Sequence, residues 1–427
     1  MLELWFDFSC PYAYLASRQV ARWEADGIEI DWRPMLLGGV FRGIDSGPGG
    51  TGPMATLSPP KAQHNALDMH RGAALLDAPF QIPAAHPMRT VRALRTLLAL
   101  PRRAWSAAIH ALYAAYWARA EDITQDAVIT AALQRAGIAE AEIAAALAAA
   151  DGDAIKDDLK ARTDEAIQLG IFGAPAWVRR HAGGHTLVWG QDRHAWVDAM
   201  RGGWDPDRDA PPGGAKHVTA AAAVIGSTLD VYYDVSSPFA YLGLAQLPHL
   251  VRATGVTLKL VPILVGGLFR EIGQVDVPLA AMPAAKQRYV MNEMQRWARW
   301  WGTPFEQPTK FPQRTVMAQR LLCLAVGEPR ALELAIRFGR AMWSAQQDLE
   351  DPEVLRAILV ETGFPPEWIE RTAEPEVKQA LIANTTRAKE VGAFGVPTFV
   401  VNGTHLFWGQ DRLDLVARAL AGWTPPA

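Results

Sequence analysis

The chain has 427 residues, of which 50% are hydrophobic and 20% are charged, and its formal net charge is −3. This near-neutral balance gives no electrostatic footprint for nucleic acid or for an anionic membrane surface, and no apolar run approaches the roughly 20 residues of a membrane span. We therefore expect a soluble globular chain of two or three domains with neither partner. The N-terminus has no basic leader pattern, and the cysteines, Cys10 and Cys323, lie in different halves. A reducing compartment, the cytoplasm, is the expected location.

The chain opens with a short apolar run of strand character, Leu2–Phe6, that leads into a segment with helical periodicity. Cys10, which a proline follows, stands at the junction. The same pattern returns at Leu229–Tyr233, where Ser237 is followed by a proline. A small polar residue before proline is typical of a helix N-cap and its first helical position. We expect both residues to lie at the positive end of a helix, where backbone N–H groups stabilise an anion.

The whole chain reads as an internal duplication of long period. The pentapeptide Trp-Gly-Gln-Asp-Arg occurs at 189–193 and again at 408–412, and a Gly-Gly pair occurs at 38–39 and at 266–267. Between the copies lies a stretch rich in Pro, Gly and Asp that has little to bury. The predicted organisation is a first domain over 1–204, a linker over 205–227 and a second domain over 228–427.

Each copy continues with a second strand, at Ile28–Arg33 or Thr257–Val261, and then a Gly-Gly loop. The next ~110 residues carry stripes of period 3.6 and predict a helical insert. In the second copy the predicted helices are Ala284–Trp301, Arg314–Val326, Pro329–Gln346 and Pro375–Val391. The group Trp297, Trp300 and Trp301 is interpreted as a packing face of this insert.

Strand character then returns around Asn402-Gly403, a strong hairpin signal because both turn positions favour positive φ. The first copy is expected to have a longer tip, at 180–184. A closing helix follows in each copy, with Asp192 or Asp411 placed to cap its first turn or to add negative charge there. Strand, helix, strand, helical insert, hairpin and helix is the order of a thioredoxin-type α/β sheet interrupted by helices.

Several motifs in this order resemble one family. They are Asp-Val-Ser-Ser-Pro-Phe-Ala-Tyr-Leu at 234–242, Leu-Val-Gly-Gly-Leu-Phe at 264–269, Phe-Pro at 311–312, Gly-Val-Pro-Thr-Phe at 395–399 and Trp-Gly-Gln-Asp-Arg at 408–412. Together they resemble the 2-hydroxychromene-2-carboxylate isomerase family, which is akin to kappa-class glutathione transferases and belongs to the DsbA-like thioredoxin group. The likeness covers 228–423 and, with more departures, 1–204. It implies an α/β fold of two tandem thioredoxin-like domains, each with an inserted helical subdomain.

The resemblance implies glutathione as the cofactor, with Ser237 Oγ donating to its sulfur and keeping it as thiolate. Val396 and Pro397 occupy the place whose backbone pairs with the cysteinyl unit, and the family has this proline in cis. From the residues alone, an ordinary trans proline remains open. Gln410 and Asp411 match the contacts to the γ-glutamyl group, although helix capping is an alternative. The corresponding residues of the first copy are Ala174, Pro175, Gln191 and Asp192.

The first copy departs from the family pattern at Cys10, which replaces the serine and has no second cysteine three residues on. Dithiol exchange is therefore disfavoured. At a helix N-terminus we expect Cys10 to have a lowered pKa, although it is also read as a small buried hydrophobe, as Cys323 is. His181 and His185 are separated by Ala-Gly-Gly, so no metal site is expected.

These observations favour a glutathione-dependent isomerase acting on an aromatic or conjugated carboxylate, with the second domain carrying the better-matched site. Two alternatives stay open: a glutathione transferase or monothiol oxidoreductase that uses Cys10, and a non-catalytic glutathione-binding or scaffold protein. The partner is expected to be a small-molecule substrate. Because relatives of the family pair as homodimers, the two halves are expected to pack as an intramolecular pseudo-dimer.

Overall fold

The computed structural model describes residues 1–46, 52–275 and 277–426. The elements of the first half are β1 Leu2–Phe6, α1 Pro11–Ala25, β2 Asp31–Pro34, α2 Leu37–Gly43, α3 Pro59–Leu75, α4 Val91–Ala99, α5 Trp105–Tyr113, α6 Asp126–Arg135, α7 Glu140–Ala149, α8 Asp153–Gln168, β3 Ala176–His181, β4 Gly184–Trp189 and α9 His194–Arg201. Short 3₁₀ and π turns join some of them.

The second half repeats this order with small changes. Its elements are β5 Thr228–Tyr233, α10 Pro238–Thr254, β6 Thr257–Pro262, α11 Val265–Glu271, α12 Ala284–Trp301, α13 Val316–Leu324, α14 Ala331–Trp343, α15 Pro352–Glu361, α16 Trp368–Arg371, α17 Pro375–Glu390, β7 Thr398–Val401, β8 His405–Trp408 and α18 Leu413–Leu420. The predicted α/β fold of two tandem thioredoxin-like domains, each with a helical insert, is confirmed. We propose the bounds 1–204, 205–227 and 228–427, since α9 ends and β5 begins close to them.

Each domain has one mixed four-stranded sheet. The strand orders are β2-β1-β3-β4 and β6-β5-β7-β8. The first two strands of each copy run parallel, and the hairpin strand β3 or β7 pairs antiparallel to the opening strand. All five residues of β1 are buried, as expected for a central strand covered by helices on both faces.

The Gly-Gly segments form helices, so the predicted loops are wrong. Asp7 explains the first of them, because its Oδ2 accepts a hydrogen bond of 2.8 Å from the backbone N–H of Leu37 at the start of α2. Asp234 does the same for Val265 at the start of α11, at 3.0 Å. A carboxylate at a helix N-terminus satisfies an otherwise unpaired donor. The matching aspartates of the two copies therefore start a helix, which glycine content alone argues against.

The helical insert follows the predicted pattern most closely at α12, which has the predicted bounds. The predicted segments near α13, α14 and α17 are also helical but begin or end one to three residues inside the predicted limits. Helices α15 and α16 were not among the predictions.

The prediction of a longer hairpin tip in the first copy is wrong, because the longer tip is in the second domain. In the second domain Val401 pairs with His405 around a three-residue loop, in which Asn402 has φ of 52° and Gly403 has φ of 68°. In the first domain His181 pairs with Gly184, which leaves a two-residue turn. The first tip is therefore shorter, and its strands continue two residue pairs further.

The two halves contact each other along a surface that we call the seam. Helix α12 of the second domain lies against the first: the ring centroids of Trp297 and Trp196 are 4.6 Å apart, and those of Trp300 and Trp204 are 5.1 Å apart. The tryptophan group, predicted as a packing face of the helical insert, therefore packs largely between the domains.

The linker also takes part in the seam, although its composition predicted a segment with little to bury. Asp207 accepts two hydrogen bonds, of 2.8 and 2.7 Å, from the Arg296 guanidinium on α12. Further along, the backbone N–H of Lys216 donates to the carbonyl of Trp300, and Val218 is buried. Asp207 and the carbonyl of Pro206 thus serve as partners for two arginines of α12, Arg296 and Arg299. Among the helices described, none is long and apolar enough to cross a membrane.

Candidate functional site

The two predicted site residues occupy equivalent places at helix N-termini. Cys10 is the N-cap of α1 and Ser237 is the N-cap of α10, and each is followed by proline as the first helical residue. Both N-caps have extended backbone, with ψ of 115° and 123°. These positions were predicted from the sequence, and they place each side chain beside the unpaired N–H groups of a helix start.

Ser237 is only half-buried and its hydrogen bonds are long. Its Oγ accepts from the backbone N–H of Ala240 at 3.3 Å and donates to the carbonyl oxygen of Val396 at 3.4 Å. Both distances exceed the usual lengths, which are about 2.9–3.0 Å for a bond from a backbone N–H to oxygen and about 2.7–2.8 Å for a bond from a hydroxyl to oxygen. The hydroxyl therefore loses little if it rotates towards an incoming acceptor.

Cys10 is held differently, although it has the same place in its domain. The side chain is buried, and the thiol Sγ lies 3.0 Å from the carbonyl oxygen of Ala174, to which it donates. Burial, with a smaller contribution from Asp7, raises the pKa of Cys10 to about 12, although nearby backbone N–H groups oppose the shift. The expectation that the helix end lowers this pKa is wrong, because the cost of burying a thiolate exceeds the favourable helix-end field.

The loops that face these residues each contain a cis proline. The bonds Ala174–Pro175 and Val396–Pro397 are both cis, as the family resemblance implied. The carbonyl of Pro397 accepts a hydrogen bond of 3.0 Å from the backbone N–H of Gly409, and Pro175 does the same for Gly190. These bonds tie each proline loop to the start of the Gly-Gln-Asp-Arg segment.

Gln410 is buried where three parts of the second domain meet. A Cβ placed on Gly243 of α10 would lie 3.2 Å from Pro397 Cγ and 3.4 Å from Gln410 Cβ. Glycine at 243 therefore allows α10, the proline loop and Gln410 to approach closely. The corresponding Gln191 of the first domain is half-buried.

Asp192 and Asp411 do not cap the closing helices, whose N-caps are Arg193 and Arg412 and which have no side-chain cap. Instead, both carboxylates turn into the seam. Arg193 Nη2 donates to Asp411 Oδ2 at 2.7 Å, and Arg412 Nη1 lies 2.5 Å from Asp192 Oδ2. Each predicted glutathione-binding aspartate is thus paired with an arginine of the other domain.

The pKa of Asp192 shows the effect of this pairing. Burial raises the pKa of Asp192, but Arg193 and Arg412 lower it by more, so the pKa of this carboxyl lies well below its usual range. The Asp192 carboxylate is therefore ionised at neutral pH and paired with both arginines.

Two further carboxylates, Glu293 and Asp68, bind these arginines, and neither was predicted. We call the group of Asp192, Arg193, Asp411, Arg412, Glu293 and Asp68 the seam cluster. Glu293 on α12 accepts from Arg193 Nε at 2.9 Å, and Asp68 on α3 accepts from Arg412 Nη2 at 2.9 Å. Burial raises the pKa of Glu293, and Arg193 only partly offsets this. Because these partners are 100 and 344 residues apart in the chain, no local pattern could have revealed them.

The first-domain site is also covered by its own insert. Tyr12, two residues after Cys10, donates from its hydroxyl to Asn65 Oδ1 on α3 at 2.5 Å. Phe239 stands at the corresponding position of the second domain and has no hydroxyl to form such a bond.

A pair of lysines lies on α3 and α12, the helices that carry Asp68 and Glu293. Lys61 on α3 sits over the Trp408 ring at 5.4 Å, and Lys286 on α12 sits over the Trp189 ring at 5.3 Å. Burial, together with the charge of Lys61, lowers the pKa of Lys286 to about 8. A repeat-aware alignment of the two inserts would have found this pair, since the lysines occupy equivalent helix positions.

The predicted absence of a metal site rested on His181 and His185. These two residues lie on the paired strands β3 and β4. Within the ranges that the structure describes, no group of three or more His, Cys, Asp or Glu side chains is arranged to hold a metal ion.

Both halves of the chain match the same protein family. The model of the DSBA-like thioredoxin domain matches the chain twice, over residues 1–199 and 228–421. The chain belongs to the DSBA-like thioredoxin domain family. The duplication predicted from the repeated motifs therefore consists of two members of this family in tandem.

Curated relatives correspond in length to one half of the chain. Glutathione S-transferase kappa 1 of Homo sapiens is 30% identical over 218 residues, which are 47% of this chain and 95% of that protein. The 2-hydroxychromene-2-carboxylate isomerase of Sphingobium xenophagum is 28% identical over 201 residues, 44% of this chain and 95% of that protein. Among solved structures, a 2-hydroxychromene-2-carboxylate isomerase is 26% identical, with a TM-score of 0.41 over 45% of this chain and 94% of that one. The resemblance stated from the motifs is confirmed, and these relatives are enzymes.

Proposed function

We propose that the chain is a glutathione-dependent isomerase whose working site lies in the second domain, around Ser237. The names of its relatives, glutathione S-transferase kappa and 2-hydroxychromene-2-carboxylate isomerase, support both the cofactor and the reaction. A conjugated or aromatic carboxylate is the proposed class of substrate.

The observation that carries the proposal is the state of the Ser237 hydroxyl. It stands at the N-terminus of the 17-residue helix α10, is half-buried, and holds only long hydrogen bonds. A hydroxyl donor next to a helix N-terminus stabilises a sulfur anion without being consumed. We assign Ser237 the role of donating to the sulfur of bound glutathione.

The remaining parts of the tripeptide have proposed partners nearby. The backbone at Val396 and Pro397 would pair with the cysteinyl unit, as an added strand pairs with a sheet edge. Gln410 and Asp411 would receive the γ-glutamyl end, where a carboxylate oxygen attracts the ammonium group. Gly243, Pro397 and Gln410 pack closely together, and this packing supports a fixed position of the proline loop relative to Gln410.

The proposed chemistry is reversible addition of the thiolate to a conjugated double bond. The sulfur lone pair forms a C–S bond at the β-carbon, and the π electrons move onto the carbonyl oxygen as an enolate. The former double bond is now single, so the carbon chain rotates. The enolate then returns its electron pair, re-forms the double bond and expels the thiolate, so that glutathione is unchanged.

For the first domain we propose a structural role. The Cys10 thiol donates to the Ala174 carbonyl, and its raised pKa leaves it protonated at neutral pH. Asp192 is bound by arginines, and Tyr12 is hydrogen-bonded across to Asn65. These features disfavour the oxidoreductase alternative based on Cys10.

The test uses 2-hydroxychromene-2-carboxylate and glutathione with the full chain. Isomerisation should depend on glutathione at substoichiometric amounts, and the glutathione should be recovered unchanged. A transferase would instead consume one glutathione per substrate converted. The Ser237→Ala variant should lose most of the rate, while Cys10→Ser should keep it; the reverse pattern would overturn the assignment to the second domain.

A further inference from the structure

Arg193 belongs to the first domain but reaches the proposed site of the second. Its Nη2 donates to Asp411 Oδ2 at 2.7 Å, across 218 residues of sequence. The guanidinium is almost fully enclosed, with only 6% of its side chain exposed. A residue of the domain that lacks the serine thus touches a residue proposed to bind the γ-glutamyl group.

The orientation of this guanidinium is fixed on every side. Its Nε donates to Glu293 Oε1 at 2.9 Å, and its Nη1 lies 2.9 Å from Asp192 Oδ1. The Trp297 ring lies 5.3 Å from the guanidinium carbon, within the range of a cation–π contact. Nε and Nη2 are hydrogen-bonded and Nη1 makes an ion-pair contact, so the planar group presents Nη2 to Asp411.

The two aspartates of the seam cluster are bound in different ways. The closest arginine contacts of Asp192 use both oxygens, Oδ1 with Arg193 and Oδ2 with Arg412. The closest arginine contacts of Asp411 both fall on Oδ2, at 2.7 Å from Arg193 and 3.2 Å from Arg412. The arginines therefore occupy both oxygens of Asp192, whereas their closest contacts to Asp411 use Oδ2 alone.

The other oxygen of Asp411, Oδ1, lies beside Gly409. A Cβ on Gly409 would come within 2.6 Å of Asp411 Oδ1, so this oxygen lies directly over the Gly409 backbone. Gly409, with φ of 102°, is in turn hydrogen-bonded to the carbonyl of Pro397. Oδ1 thus lies beside a residue that is hydrogen-bonded to the proline loop, while Oδ2 is held in the seam.

We propose that Arg193 is a positioning residue for the glutathione site of the second domain. It anchors Asp411 through Oδ2 and so presents Oδ1 to the α-ammonium group of the ligand. This inference rests on the proposed function, and it makes the site incomplete without the first domain. It also gives the first domain a defined task, although its own cysteine site is closed.

The test compares two ligands, glutathione and the analogue glutaryl-cysteinyl-glycine, which lacks the α-ammonium group, by calorimetry with the full chain. The unaltered protein should prefer glutathione by about tenfold or more, the value of a hydrogen bond to a charged group. Arg193→Met should lower the affinity for glutathione by about tenfold and leave that for the analogue within about twofold. The preference should therefore largely disappear.

Arg296→Met is the matched control. Arg296 is equally buried in the seam, where it binds Asp207 and the carbonyl of Leu187, so its loss weakens the contact between domains without touching Asp411. This variant should keep the preference for glutathione. Arg193→Lys, which keeps the charge, covers the case that Arg193→Met fails to fold, and should retain only part of the preference.

The outcomes separate the two proposals. If the unaltered protein binds neither ligand, the proposed function fails and the role of Arg193 falls with it. If it binds glutathione with the expected preference and the Arg193 variants keep that preference in full, the proposed function stands and the positioning role is overturned. An equal loss of preference in Arg296→Met would also overturn it, because general loosening of the seam would then be the cause.

Discussion

Ser237 and Cys10 show how one substitution changes a helix N-terminus from an open position to a closed one. Both side chains point at the carbonyl before a cis proline, but sulfur reaches it at 3.0 Å in a buried setting while the serine oxygen stays 3.4 Å away and half-buried. The position on the helix could be predicted from the residue-proline pattern. The sign of the pKa shift at Cys10 could not, because it depends on burial by the surrounding chain.

The first prediction concerns the Ser237 hydroxyl. Ser237→Ala should raise the pKa of the thiol of bound glutathione by roughly one unit, because the thiolate loses one charge-assisted hydrogen bond worth about 1.4 kcal/mol. Ultraviolet absorption of the thiolate, titrated against pH with saturating ligand, measures this shift. An unchanged titration in the variant would rule out the role given to the hydroxyl.

The second prediction concerns Cys10 and its pH dependence. A thiol with a pKa of about 12 keeps its proton until pH rises well above neutrality. Near pH 8 its thiolate fraction is about two thousandfold below that of a free cysteine, whose pKa is about 8.5, so alkylation should be slower by a similar factor. Cys323, with its pKa also raised to about 12 by burial, should be comparably slow.

Mass spectrometry of the native protein after timed alkylation gives both rates. Unfolded protein serves as the control, since both cysteines should then react as free thiols. Rapid and selective labelling of native Cys10 would contradict the closed site and revive a thiol-based reaction in the first domain.

At the scale of elements, the Gly-Gly helices explain what a local pattern can and cannot reveal. Two glycines together predict a loop, and α2 is a helix because the Asp7 carboxylate receives its first N–H group and because α8 lies against it. Gly39 is the residue that permits this contact, since a Cβ there would come within 2.8 Å of Thr163 Cγ2. By contrast, the bounds of α12 follow from its own amphipathic stripe and were predicted correctly.

The third prediction uses the two adjacent glycines of α2. Gly39→Ala should destabilise the protein by about 1–3 kcal/mol through overpacking, because Thr163 is fixed by its bonds to Leu36 and Leu159. A Cβ on Gly38 meets nothing within 4 Å, so Gly38→Ala should leave stability unchanged or raise it by up to about 1 kcal/mol. Denaturant midpoints of the two variants provide the comparison; similar values would contradict the packing described for α2.

At the scale of the whole molecule, duplication turns a repeated motif into a contact between domains. The Gly-Gln-Asp-Arg segments meet at the seam, where Arg193 and Arg412 bind carboxylates of the opposite domain. The sequence reveals the repeat and suggests pairing, because both copies carry the whole segment. It does not reveal which oxygen of which aspartate remains for a ligand, since that depends on α3 and α12 crossing to the other domain.

The fourth prediction is that the two domains remain packed together in solution. The linker is tied to α12 through Asp207 and the carbonyl of Pro206, so the domains should not move as independent units. Small-angle scattering should give a radius of gyration near the ~22 Å expected for one globule of this length. A clearly extended two-lobed profile would contradict this arrangement.

The central claim is that one chain offers one working glutathione site, made by the second domain and completed by the first. The most direct measurement is the binding stoichiometry of reduced glutathione to the full chain by calorimetry. We predict one glutathione per chain, with binding weakened by Ser237→Ala or Asp411→Asn and unaffected by Cys10→Ser. Two equivalent sites per chain, or a single site lost in Cys10→Ser, would contradict the claim.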